Sequence, residues 1–179
     1  MFRDDLRCKQ WQTCLAARNI NNSQLQASMT MLSLTAQIEE LNNRKKQYGE
    51  TNMLVLDQIA AIGLHHFHVS GHDEEALHHF REALRIVEDL ISYHMRTLHT
   101  ADGDNKRWSC CQYYVQKGVL LTDIGNVHAR NEAYEDALFH YESALRVFRS
   151  MGMKEDHPRV ISTNRYLDRL QIHVHNPVG

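Results

Sequence analysis

The amino-acid sequence predicts an all-α protein made of stacked helix pairs, and three observations carry that reading. Gly71 to Ile86 is echoed by Glu132 to Val147: Ala76, Phe80 and Ala83-Leu84 in the first stretch recur as Ala137, Tyr141 and Ala144-Leu145 in the second. A small–aromatic–small stripe at i, i+4, i+7 lines one face of a helix. Two copies within 179 residues indicate a stacked array, because a single such unit cannot bury its apolar face alone. Only 2 prolines and 8 glycines interrupt the chain, which favours long helices over a turn-rich β fold. Elsewhere the apolar residues keep three–four spacing.

Arg3 to Arg18 reads as a short helix closed by the break Asn19 to Asn22. Ser23 then suits the N-cap of a long amphipathic helix running to Tyr48. Its apolar seams are Leu25, Met29, Leu32, Ala36 and Leu34, Ile38, Leu41, Tyr48. Gly49 ends it, with Arg44, Lys45 and Lys46 placed against the helix dipole. A helix over Met53–Val69 stops at Ser70-Gly71, and the next, Asp73–Arg96, carries Asp73, Glu74 and Glu75 in its first turn, as the dipole prefers. Leu98 to Lys106 is polar and reads as a loop. Helical patterning resumes at Ser109 and runs to Asn131, then from Tyr134 to Met151. Gly152 to His157 is a connector, and Pro158 suits the first turn of a last helix to His173. The tail Asn176 to Gly179 is expected to fray. The predicted organisation is an N-terminal segment 1–22, an array 23–173 with units at 49–96 and 109–151 and a capping helix at 158–173, and a tail 174–179.

Composition excludes several function classes. The length suits one domain, and 42 % hydrophobic with 23 % charged residues is ordinary for a globular chain. A formal net charge of −2 argues against non-specific nucleic-acid binding, which needs a basic surface. The richest apolar stretch, Met53 to Leu64, contains Asp57 and Gln58 and is too short to span a bilayer. The charged start Met1-Phe2-Arg3-Asp4-Asp5 lacks a signal-peptide core. Cys8, Cys14, Cys110 and Cys111 have no CxxC spacing and read as reduced thiols. A cytoplasmic protein without nucleic-acid or membrane partners is the expectation.

The paired helices resemble tetratricopeptide repeats, in particular the longer repeat of kinesin light chains. In the second unit the resemblance rests on Leu121, Ile124-Gly125-Asn126, Tyr134, Ala137, Tyr141 and Ala144-Leu145. It continues through Gly152, Asp156-His157-Pro158, Val160, Thr163 and Leu167. The first unit matches in Tyr48-Gly49-Glu50, Ile62-Gly63, Gly71, Ala76, Phe80 and Ala83-Leu84, with Asn52-Met53 in place of His-Pro. The likeness covers Leu34 to Leu170 and implies a right-handed superhelical array of antiparallel pairs, six or seven helices in all. Gly63 and Gly125 would admit a neighbouring helix closely, with Phe80 and Tyr141 filling the gap left between repeats. Three departures stand out. Ala76 and Ala137 are 61 residues apart against about 42 for the long repeat, a surplus that falls around His99 to Trp108. Gly63 to Gly71 is one residue longer than Gly125 to Glu132, which predicts a bulge or shifted turn. His128 stands where an aromatic is usual.

The resemblance further implies a concave surface, lined by the first helix of each repeat, that grips a peptide or helix of a partner protein without a cofactor. By position it places Leu64, Phe67 and His68 there from the first unit, Asp123, Asn126 and Arg130 from the second, and Arg165 and Arg169 from the last helix. Asn126 offers a donor and an acceptor to a peptide backbone; the three arginines would form a positive lane for an acidic peptide. No phosphate loop, nucleophile elbow or supported Cys/His pairing is present, so no enzyme is expected and no catalytic residue is assigned. Two other readings stay open. Unfinished terminal repeats can stack into a homo-oligomeric scaffold. His65, His68 and His72, with His78-His79 on the facing helix, are conceivable metal ligands among 13 histidines, although a polar helix face accounts for them without a metal.

Overall fold

The computed structural model describes residues 33–97 and 103–175. These residues form six helices and no strand: α1 (Leu34–Tyr48), α2 (Met53–His65) continuing into a π-helical turn (His66–Ser70), α3 (Asp73–Thr97), α4 (Gly103–Arg130), α5 (Tyr134–Ser150) and α6 (Pro158–His175). Each helix packs on its neighbour in the chain, and α4 also touches α6. The all-α prediction agrees with this architecture. The expected helix Arg3–Arg18, the Ser23 cap, the seam Leu25–Met29–Leu32 and the end of the tail lie outside the described residues.

Two boundaries differ from the sequence expectation. Within the described residues the helix expected from Ser23 has its N-cap at Ser33, whose extended backbone (ψ 148°) and side chain, accepting from the Ala36 N–H at 3.3 Å, cap Leu34–Tyr48. Its buried face is Gln37 and Leu41 with Leu34 partly covered, whereas Ile38 and Tyr48 of the expected seam are each 44 % exposed. Gln37 replaces Ile38 inside because it finds partners: its carbonyl accepts from Gln58 Nε2 at 3.2 Å and its side-chain amide meets His65 Nδ1 at 3.3 Å. The second difference is at Gly103, where α4 begins six residues before the expected Ser109. The polar run that reads as loop contributes the first turn of that helix.

The two repeated stretches fold as matching pairs. α2 aligns with α4 at an offset of 62 residues and α3 with α5 at 61. The extra residue before the first turn is absorbed by the π-helical turn, in agreement with the expected bulge. Both turns then close through a left-handed residue at the same place: Gly71 (φ 67°) and Glu132 (φ 60°). Inside each pair an aromatic ring lies flat against a glycine. A Cβ on Gly63 would meet Phe80 Cε1 at 2.7 Å, and one on Gly125 would meet Tyr141 Cε1 at 2.7 Å. Phe80 and Tyr141 therefore fill space within their own pair, while Ala76, Ala83, Ala137 and Ala144, all fully buried, permit the close approach. Two turns away Gly118 faces Phe148 at 2.3 Å by the same measure. The first unit carries Leu56 and Val87 at those positions, both fully buried, so the large and small partners are exchanged between helices.

Candidate functional site

Where α2, α4, α5 and α6 converge they enclose an open groove of about 440 Å³. The π-helical turn supplies Phe67 and His68, the end of α4 supplies Asn126, Ala129 and Arg130, α5 supplies Tyr134 and Tyr141, and α6 supplies Tyr166, Arg169 and Leu170. Its floor is aromatic: the Tyr141 and Tyr166 rings stack at 5.6 Å with 20° between planes. The Tyr141 hydroxyl donates to Asn126 Oδ1 at 2.8 Å. That bond orients the amide and leaves its N–H donors for a bound chain.

Arg130 is held on three sides. Its Nε donates to Asp73 Oδ2 at 3.0 Å, its Nη1 donates to the Phe67 carbonyl at 2.7 Å, and its guanidinium lies 3.8 Å over the Phe67 ring. Nη2 also pairs with Asp73 Oδ1. This clamp joins the end of α4 to the turn before α3 and to the first residue of α3 itself. A neighbouring cation and burial both hold the His68 imidazole below its usual range, burial being the larger cause and Arg130 the second.

Five of the eight residues expected on the concave face line this groove: Phe67, His68, Asn126, Arg130 and Arg169. The other three do not line it. Leu64 is partly buried against the core. Asp123 is drawn inward beside Arg159, and burial pushes its carboxyl up to about 7 despite the opposing pull of that guanidinium. Arg165 is exposed on α6. The expected lane of three arginines is thus reduced, because the charge of Arg130 is already met by Asp73 and Arg165 does not line the groove. Tyr134, Tyr141, Tyr166 and Leu170 escaped the sequence reading as groove residues. A signal existed for one of them. The first unit has Leu64 and Phe80 where the second has Asn126 and Tyr141, so a polar pair replaces an apolar one in both helices at once.

The histidines divide differently from their sequence spacing. His65 turns inward to Gln37 and His68 faces the groove. His66, outside the expected set, stacks on His79 at 5.4 Å and on His72 at 5.9 Å. The second unit repeats the pair at the matching positions, His128 on His140 at 5.4 Å. Burial holds His66, His79, His128 and His140 below the ordinary imidazole range.

No protein-family model matches this chain, and no curated protein matches it significantly. No helix among the described residues is long and apolar enough to cross a membrane.

Proposed function

We propose that this chain is a non-enzymatic protein-interaction module of the tetratricopeptide type, its helix pairs stacked antiparallel, working in the cytoplasm. Its ligand is a peptide segment of a partner protein, bound in the groove between α2, α4, α5 and α6. One observation supports this above the others: an open aromatic trough whose wall presents the Asn126 amide, with its oxygen already occupied by Tyr141. An apolar floor with few fixed polar groups suits recognition of an extended chain. Arg169, exposed and lining the same trough, favours an acidic residue in that chain.

The test is selection of a random-peptide phage library on the full chain, followed by titration of selected peptides against wild type and Asn126→Ala/Arg169→Ala. Arg130 is left intact because it holds α4 to α3. Circular dichroism checks that both proteins keep equal helix content. Peptides enriched in acidic and apolar residues that lose about tenfold or more in affinity for the variant support the groove. Peptides that bind both proteins equally refute it.

A self-associating scaffold is the second reading, supported by the exposed Ile38 and Tyr48 on α1 and Leu54 at the start of α2. Light scattering over a hundredfold range of concentration tests it, and a constant monomer mass removes it.

A further inference from the structure

His78, His79 and Glu82 place two imidazole nitrogens and a carboxylate oxygen within 4.8 Å of one another, the one such group of three metal-ligating side chains among the described residues. None of the three lines the groove. The second unit offers an internal comparison, since it carries Phe139, His140 and Ser143 at the matching positions. Both units share the imidazole stacked against the preceding helix. Only the first adds a second imidazole and a carboxylate beside it.

We propose that His78, His79 and Glu82 form a binding site for a divalent transition-metal ion of the zinc type. Two nitrogen donors and one oxygen donor suit such an ion and not calcium or magnesium, which take oxygen ligands. Ligation at about 2.0–2.2 Å draws the three atoms closer than they now lie, a shift that rotation of the half-exposed side chains supplies. The remaining position is open to water or to an approach by His66, whose ring stacks on His79 at 5.4 Å. The surroundings fit the assignment in two ways. Nδ1 of His79 and Nδ1 of His66 are buried without hydrogen-bond partners, and a buried polar atom left in that state costs stability until something satisfies it. The half-buried His79 ring is also held in place by its stack on His66.

One neighbour opposes the ion. Lys45 Nζ on α1 lies 3.2 Å from Glu82 Oε1, so an incoming cation competes with that ammonium for the carboxylate. The site therefore has a built-in competitor, and removing it has a predictable sign.

The experiment is calorimetric titration of the tag-free, chelator-treated full chain with Zn²⁺ at pH 7.5, repeated with Co²⁺ while following its visible absorption. Wild type is expected to bind one ion at this site. His78→Phe/Glu82→Ser, which installs the residues of the second unit, lowers that affinity at least about tenfold. Lys45→Gln raises it, and His140→Phe leaves it unchanged. Ca²⁺ gives no heat. Circular dichroism accompanies each variant; if the double variant is misfolded, His78→Gln at an exposed position and Lys45→Gln carry the comparison. No zinc binding by wild type, equal affinity in the site variants, or weaker binding in Lys45→Gln overturns the proposal.

Discussion

Exchanging Gly118 and Phe148 for the residue sizes of the first unit tests whether the two helix pairs share one packing scheme. Gly118→Leu alone brings a Cβ to 2.3 Å from a ring carbon of Phe148, itself only 1 % exposed. Overpacking of this kind costs about 1–3 kcal/mol or somewhat more, and the gain of about 1 kcal/mol from replacing a helical glycine offsets part of it. A net loss of about 1–2 kcal/mol is expected. Phe148→Val alone removes four buried carbons, which at about 0.8 kcal/mol each costs about 3 kcal/mol. If the pair behaves as Leu56 and Val87 do in the first unit, the double variant loses no more than about 3 kcal/mol, giving a coupling of at least about 1–2 kcal/mol. Urea denaturation at 25 °C followed by circular dichroism measures all four proteins. Additive losses would refute the common scheme, as would a neutral Gly118→Leu.

Arg130→Met removes the guanidinium from Asp73 and the Phe67 carbonyl while keeping an apolar stem, and should cost about 1–2 kcal/mol after allowance for partial solvent screening; a loss below about 0.3 kcal/mol in urea denaturation contradicts the clamp. Acid should destabilise the fold. His66, His68, His79, His128, His140 and His157 are all held below the usual imidazole range, burial being the first cause in each. The unfolded chain therefore takes up more protons as pH drops through about 6.5, and stability that is full above that value declines below it. Asp123 acts the other way, since its carboxyl, pushed up to about 7, holds a proton in the folded state between about pH 4 and 7 and adds stability as pH drops. Urea midpoints should thus fall from pH 8 to pH 5, and fall more steeply in Asp123→Asn; a flat wild-type profile contradicts the first expectation and an unchanged slope in the variant the second.

Much of the helix pattern was legible because it depends on local signals. Ala76 and Phe80 against Ala137 and Tyr141 mark equivalent faces, and the one-residue surplus before Gly71 announces the π-helical turn. Boundaries set by competition between partners were less legible. Ser33 sits within a continuous apolar periodicity, and only the cap it makes with the Ala36 N–H marks a helix start there. Gln37 is inside in place of Ile38, where residues from α2, 21 and 28 positions away, meet its backbone carbonyl and its side-chain nitrogen. The groove was legible in part for the same reason. Position along the first helix of each pair locates Asn126 and Phe67, but whether an arginine is available to a ligand depends on Asp73, which lies 57 residues from Arg130. Asp123 shows the converse, a carboxyl on the expected face whose burial beside Arg159 pushes its pKa up.

The reach of Arg130 also bears on how the molecule gives way under load. Its two hydrogen bonds span 57 and 63 residues in a chain whose helices pack chiefly on their sequence neighbours. Nearest-neighbour packing alone lets each helix pair peel off as a separate unit. A side chain at the end of α4 that grips both the turn before α3 and the first residue of α3 links the yielding of one pair to that of the other. Drawn apart by its ends, the protein should behave less like a stack of separable hinges and more like a buckle, in which the loosening of either pair is tied to the other.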